Sequence, residues 1–533
     1  MHSLLAHVLL SLAAATAQPS LHHSAPFLGR TLQIRVAGAP ANQPAVLLYS
    51  PRAAHVATAF GLLEIERHSS HRVALGTTNA NGRWTVQLPI PLDAALAEVE
   101  AHFQALIDDP SAPAGKVLSR GVHVRLLGTR VYVDSRETDG GDPALAELVI
   151  ASAVHDAIIA TVPLGAAPNI GVVEPVFSPS FARGAVMASA GELVIFDPFF
   201  GAVLDTVPFQ GATPRIFLDE DGNRALVLEL GSASALPQPI PARLSAVDLA
   251  TGQVVAQLSL PKPALDRWCL NAARTEAYIA EIEDLDHDSF VRRIDLVTWT
   301  DLGAIAVGET GVPFQRIDEM LFAAGQVIVT AHPGGLDPGG LDPRSSLTRI
   351  DLSPWTPVTS VQFDPPHFHI TMAALPNVDR LILFRRTFGL TSQGFFRTTP
   401  LSATGPIIDL PVPPEWNDRV IAHVLEPEED GLWVLDRAGD ILLQEATEPG
   451  RLYFVDLVTN AWTMFPHEWG NVGPSDIEVV HDALANKLVL STRSTSAPGS
   501  TPGELYVFDR ATQTVQHVPL AHSGFAATVV PVP

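Results

Sequence analysis

The stretch Arg243-Leu244-Ser245-Ala246-Val247-Asp248-Leu249-Ala250-Thr251-Gly252-Gln253-Val254-Val255 decides the fold. Apolar and small side chains run up to Asp248, a polar turn follows, and a second apolar run starts at Val254. Short alternating runs bounded by turn residues read as half-buried strands. An aspartate suits the turn because its carboxylate bonds backbone N–H groups two residues on. The pattern recurs at Leu193-Val194-Ile195-Phe196-Asp197-Pro198, Arg293-Ile294-Asp295-Leu296, Arg349-Ile350-Asp351-Leu352, Tyr453-Phe454-Val455-Asp456-Leu457 and Tyr506-Val507-Phe508-Asp509. Successive aspartates are 51, 47, 56, 105 and 53 residues apart. The 105 is a doubled period enclosing a degenerate unit, Pro400-Leu401-Ser402-Ala403-Thr404-Gly405, in which Leu401 is read as taking the Asp place. Another degenerate unit, Val149-Ile150-Ala151-Ser152, comes first, so positions 152, 197, 248, 295, 351, 401, 456 and 509 mark eight units.

Upstream of each mark lies a further strand pair, such as Ile216-Phe217-Leu218 and Ala225-Leu226-Val227-Leu228-Glu229-Leu230 around the turn Asp219-Glu220-Asp221-Gly222-Asn223. Four strands per unit with a turn between each is a propeller blade. The pattern predicts an all-β chain with an eight-bladed β-propeller over 129–533, or seven blades if the first unit belongs to the N-terminal module. The first unit lacks an innermost strand, and Phe525-Ala526-Ala527-Thr528-Val529-Val530-Pro531-Val532 is a strand left over at the other end. Pairing the two would close the ring and remove an exposed edge.

The run from Arg243 to Val255 and the turn Asp219-Glu220-Asp221-Gly222-Asn223 resemble the YVTN and quinoprotein-amine-dehydrogenase-like β-propeller repeats of bacterial secreted proteins. The resemblance implies the fold over 129–533 and is silent on activity, since such propellers include surface proteins, lactonases, lyases and redox enzymes.

The chain has 533 residues, 33 basic against 57 acidic, a net charge of −24. That charge argues against a nucleic-acid partner, which a phosphate lattice would repel. Residues 1–17 read as a secretory signal, with an apolar run from Leu4 to Leu12 and Ala15-Thr16-Ala17 before Gln18. The expected location is secreted, cell-surface or periplasmic. No later run of apolar residues is long enough to span a bilayer. Cys269, the lone cysteine, lies in an apolar run and reads as a buried structural thiol.

Residues 27–127 do not follow the repeat. Candidate strands at Thr31–Val36, Ala45–Tyr49, Trp84–Leu88, Phe103–Ile107 and Val122–Leu126, with a hairpin signal at Asn81-Gly82, predict a small β-sandwich. The segment from Leu88 to Ala105 resembles part of a sandwich that precedes repeat domains in some large secreted bacterial proteins.

Three groups of residues could carry chemistry. Arg215, Arg267, Arg316 and Arg419, with His369 at the skipped step, recur at the entry of the innermost strand. Converging on a channel mouth, they would either hold a carboxylate or phosphate by forked hydrogen bonds or pair with neighbouring acids such as Asp266 and Asp418. Asp284, Asp286 and Asp288 alternate as Ca²⁺ ligands do, although Ser289 stands where an EF-hand loop has glycine. Asp219, Asp221 and Asn223 read as an ordinary hairpin turn. Of the histidines, His332, His367, His369 and His423 could approach the channel and bind a transition metal, while His68-Ser69-Ser70-His71 has no second pair for zinc. Trp416 and Trp469 are candidate rim contacts for a sugar or peptide.

The longest links join second and third strands: Ser135 to Pro143, Gly231 to Pro241, His332 to Ser346, Thr387 to Gly394 and Arg493 to Gly503. They share one face, where repeat scaffolds place binding groups. The expected function is a monomeric, non-catalytic scaffold binding a protein, a glycan or a small anionic ligand. The alternative is a channel-mouth enzyme, lactonase-like or lyase-like, acting on an anionic small molecule. No catalytic residue is assigned, and no cofactor is expected unless Asp284, Asp286 and Asp288 take Ca²⁺.

Overall fold

In the strands of this chain, β-branched and leucine side chains alternate with smaller or polar ones, and each run stops at a turn built on Asp, Asn or Gly. The computed structural model describes residues 18–530 apart from 25, 29–30, 92–95, 97–98, 127, 129, 137–145, 153–156, 166–173, 180, 189–190, 212, 214, 233–239, 283–288, 308–314, 334–344, 364–369, 386–395, 414–419, 427–430, 437–450, 466–477, 483–486, 492–503 and 521–522. The predicted signal and most of the long links therefore lie outside the described residues. The described chain is all-β, with one short 3₁₀ turn at Pro376–Val378. It divides into two compact units: Met1–Arg130 with Pro179–Phe181 and Pro531–Pro533, and Val131–Ser178 with Ala182–Val530.

In the larger unit the described strands form eight four-stranded antiparallel sheets. Seven are simple meanders of consecutive strands, such as Phe217–Leu218, Arg224–Glu229, Arg243–Asp248 and Val254–Ser259 in the third. In the first sheet Arg130–Arg136, Ala146–Ser152 and Ala157–Gly165 are joined by the C-terminal strand Ser523–Val530, which lies beside Arg130–Arg136. The leftover strand thus fills the vacant edge. This succession of four-stranded meanders is β-propeller architecture.

The cores lie between sheets. One apolar cluster runs from Leu226 in the third sheet through Trp268 and Ile279 in the fourth to Ile317 and Val329 in the fifth. Another joins Val131, Val133 and Val149 of the first sheet to Val489, Leu505 and Val507 of the eighth. Tyr132 links the first sheet to the second, its ring centroid 4.6 Å from that of Phe177 and its hydroxyl 3.0 Å from the Pro198 carbonyl. First strands of neighbouring sheets also touch, as Ala264–Leu270 does Gln315–Ala323 and Glu478–Asp482 does Ser523–Val530.

The repeated aspartates build one turn. Asp197, Asp248, Asp295, Asp456 and Asp509 each accept, at Oδ1, the backbone N–H groups two and three residues on, at 2.8–3.2 Å. The fifth residue of each turn is left-handed: Gly201, Gly252, Trp299, Asn460 and Gln513. Asp351 departs from this because Pro354, three residues on, has no N–H; its Oδ1 accepts Gln326 Nε2 at 2.7 Å instead. In the sixth sheet the register corrects the alignment by one residue. Pro400 pairs with Arg380 as Asp248 pairs with Arg224, so Pro400 holds the Asp place and Leu401 matches Leu249. The missing carboxylate comes from the neighbouring hairpin, where Asp379 Oδ1 accepts Ser402 N at 2.8 Å.

The Arg-Ile-Asp-Leu strings add a latch. Arg293 donates to the Leu352 carbonyl of the fifth sheet at 2.8 Å, and Arg349 to the Leu401 carbonyl of the sixth at 2.6 Å. Arg292 is buried, bonded to Glu281 at 2.5 Å and Asp301 at 2.6 Å.

The smaller unit has a three-stranded sheet, Ser20–His23, Thr31–Ala37 and Trp84–Pro89, and a five-stranded one. The latter orders Val122–Arg125, Glu100–Asp108, Pro44–Ser50 and His71–Thr77, with Lys116–Leu118 also on Glu100–Asp108. Both sheets feed one core, including Ile34, Val36, Leu47, Val86, Phe103 and Ile107. Asn81-Gly82 forms a turn but not a hairpin: the flanking strands belong to different sheets. Asn79 Oδ1 caps the Asn81 and Arg83 N–H groups, and Gly82, at φ +67°, leaves room for the Ala39 carbonyl, which a Cβ would strike at 2.0 Å.

Candidate functional site

Of the predicted arginines, Arg267 and Arg316 fall in the first strands of the fourth and fifth sheets, Arg215 lies just ahead of Phe217–Leu218, and both of those first strands bulge. In Ala264–Leu270 the register jumps between Ala264 and Trp268, which leaves Leu265, Asp266 and Arg267 outside the regular ladder. In Gln315–Ala323 it jumps between Ile317 and Glu319, leaving Asp318 out. A bulge bends its strand and re-aims side chains. Here the two bulges meet: Arg267 Nε donates to the Asp318 carbonyl across the sheet boundary.

Arg267 Nη1 also donates to the Asp266 carbonyl at 2.6 Å and lies 3.5 Å from the Asp266 carboxylate. Arg215, one sheet earlier, stands 3.8 Å from Glu319, and its guanidinium lies 5.7 Å from the Phe217 ring centroid. Arg215, Asp266, Arg267 and Glu319 thus form one charge cluster across the third, fourth and fifth sheets. Burial pushes the Asp266 carboxyl above the ordinary aspartate value, and the two guanidiniums only partly pull it back. Cys269 follows in the same strand and is free and buried. Burial pushes its thiol up to about 12, which makes it inert at neutral pH.

Both arginines therefore have partners, yet about a third of each side chain remains exposed, 38% for Arg215 and 35% for Arg267. The cluster can present guanidinium edges to a ligand while its carboxylates balance the charge. Arg316 opens the fifth-sheet inner strand, and its backbone faces His332 in the register. His367, His369, Arg419, Asp284, Asp286, Asp288, Trp416 and Trp469 lie outside the described residues. Asp219 closes an ordinary hairpin, accepting the N–H groups of Asn223 and Arg224 at 3.1 Å.

The tight Asp turns join third to fourth strands. In five sheets the chain between second and third strands is longer, running from Glu229 to Arg243, Pro333 to Ser345, Arg385 to Phe396, Asp436 to Arg451 and Ser491 to Glu504, whereas in the second sheet it is short, from Met187 to Glu192. One edge of the sheets carries the aspartate turn shared by five of them, and the opposite edge carries these longer links.

Spacing along the repeat did not single out Glu100, His102 and His123 in the smaller unit, whose ligand atoms lie within 4.8 Å of one another. The available signal was Glu-x-His just ahead of the strand predicted at Phe103–Ile107; the structure begins that strand at Glu100, which puts both side chains on one face. Only the register to the neighbouring strand adds His123.

No protein-family model matches the chain, and no curated protein does. Among solved structures, the Dos1 propeller is similar at 11% identity and a TM-score of 0.47, covering 68% of this chain and 86% of that one. Hydrazine synthase of Kuenenia stuttgartiensis is similar at 13% identity and a TM-score of 0.40, covering 67% and 98%. The β-propeller domain of Cps50 (Swd1) from Myceliophteria thermophila is similar at 13% identity and a TM-score of 0.38, covering 61% and 94%. No activity is transferred from similarities this distant.

Proposed function

We propose that this chain is an exported, eight-bladed propeller scaffold that binds a partner through the edge carrying its second-to-third-strand links. The N-terminal unit is read as a small sandwich with its own core. The observation that carries the reading is the asymmetry between the two edges of the sheets. Five of the third-to-fourth-strand turns share one aspartate-capped geometry, whereas the links from Glu229 to Arg243 and from Pro333 to Ser345 are long. A rigid scaffold with elaborated loops on one face is how repeat proteins present recognition groups. The pairing of Arg215 and Arg267 with Glu319 and Asp266 fits a structural role for those arginines.

The test is a thermal-shift screen against glycans, organic acids and peptides, since a ligand of the native state alone raises the melting temperature. Replacing residues 233–239 and 334–344 by short Gly-Ser links should abolish the shift and leave the ligand-free melting unchanged. A ligand shift that survives both replacements would defeat the loop-face reading.

A second reading, a lactonase-like or lyase-like enzyme on an anionic substrate, draws support from Asp266. A carboxyl raised by burial beside two guanidiniums is the kind of group that serves as an acid or base. Turnover of a lactone or uronate that is lost in Asp266→Asn would favour it over the scaffold.

A further inference from the structure

The five-stranded sheet of the smaller unit has two different faces. In Glu100–Asp108 the odd-numbered residues Ala101, Phe103, Ala105 and Ile107 point into the core. Glu100, His102 and Gln104 therefore share the opposite face. Val124 is also in the core, so His123 and Arg125 on the neighbouring strand lie on the same outer face as Glu100 and His102. The register sets His123 directly across from His102 and Arg125 across from Glu100.

The consequence is a compact donor set. The His102 and His123 rings stack with centroids 4.7 Å apart and planes 18° apart. His123 Nε2 lies 3.7 Å from Glu100 Oε2. The small hairpin Ala53–Thr58 and Gly61–Ile65 packs against Glu100–Asp108 and is anchored through Gln104. Gln104 Nε2 donates to the Leu62 carbonyl and its Oε1 accepts Glu64 N, at 2.8 and 2.9 Å. The hairpin covers Gln104 completely and leaves His123 and Glu100 exposed. His23 ends the strand Ser20–His23, which runs beside Val122–Arg125.

We propose that Glu100, His102 and His123 form a binding site for a borderline divalent cation of the zinc type on the outer face of this sheet. Two imidazoles and one carboxylate are a set such a cation prefers, whereas Ca²⁺ and Mg²⁺ want oxygen donors throughout. Tetrahedral zinc with bonds of about 2.0–2.2 Å holds its ligand atoms roughly 3.3–3.5 Å apart. Donors already within 4.8 Å reach that spacing by rotation of the exposed His123 and Glu100 side chains, without moving the strands. Water fills the fourth position.

The full chain, stripped with EDTA, is titrated with Zn²⁺ by calorimetry and by thermal shift, and with Co²⁺ by visible absorption. One equivalent of zinc should bind, raise the melting temperature and give the d–d bands of tetrahedral cobalt with nitrogen and oxygen donors. H123A, H102A and E100Q should each weaken binding by about tenfold or more. His123 is exposed, so H123A must melt like the parent in EDTA and keeps the test valid if H102A folds poorly. Calcium and magnesium should neither bind there nor displace zinc. Absence of a zinc response at millimolar concentration, or equal binding by the parent and H123A, overturns the proposal.

Discussion

The same period produces two unlike structures in the larger unit. At the third-to-fourth-strand turns, aspartates about fifty residues apart make the same pair of backbone bonds in five sheets. At the innermost strands, arginines with an equally regular spacing do different things. Arg215 meets a carboxylate at 3.8 Å, while Arg267 reaches a neighbouring sheet's backbone. The difference is one of range. A turn aspartate finds its partners within three residues of itself, so sequence repetition becomes geometric repetition. An arginine reaches another sheet, where a bulge of one or more residues changes which group it meets.

The contrast can be pushed until it fails. The largest effect belongs to the buried charges on which neither pattern bears. Glu281→Ala takes one of two carboxylates from buried Arg292, leaving Asp301, and should cost roughly 2 kcal/mol in urea denaturation. Arg267→Ala removes a bond between bulges and should cost about 1 kcal/mol, with Arg267→Lys failing to restore it because the forked geometry is lost. Asp248→Ala should cost no more than about 1 kcal/mol, as the freed N–H groups turn to water. Arg215→Ala should change stability by less than about 0.5 kcal/mol, since its pair is exposed and screened. Equal losses for Arg215 and Arg267 would erase the distinction drawn between them.

The turns also carry a pH signature. The Asp295, Asp456 and Asp509 carboxyls sit below the ordinary aspartate value, first because of the N–H three residues on. Asp248 does so first through the Thr251 hydroxyl. Their native values lie below the unfolded ones, so their stabilisation is complete above about pH 4 and is lost as pH falls through the native values. Changing all four to Asn should flatten the stability profile between neutral and acid pH in urea melts. An unchanged slope would mean that other carboxylates dominate.

Much of this was readable from the chain. The alternating runs, the Asp turns and the unpaired C-terminal strand all depend on neighbours a few residues away or on a simple count of edges. The misreadings came from the same source. Leu401 was one residue off because a lost aspartate leaves no local mark, and only the pairing of Pro400 with Arg380 fixes the frame. Asn81-Gly82 looks like a hairpin because the dipeptide specifies a turn and not which sheets the flanking strands join.

The all-β class, the recurrence of four-stranded units and the turn chemistry are legible in the chain alone, because hydrophobic alternation and side-chain capping act over a few residues. Three contacts have no such local mark: Asp379 in place of a missing carboxylate, Arg267 joined to Asp318 through two bulges, and His123 opposite His102. Those contacts depend on strand register and on which sheets become neighbours, and both are set by packing between segments distant along the chain.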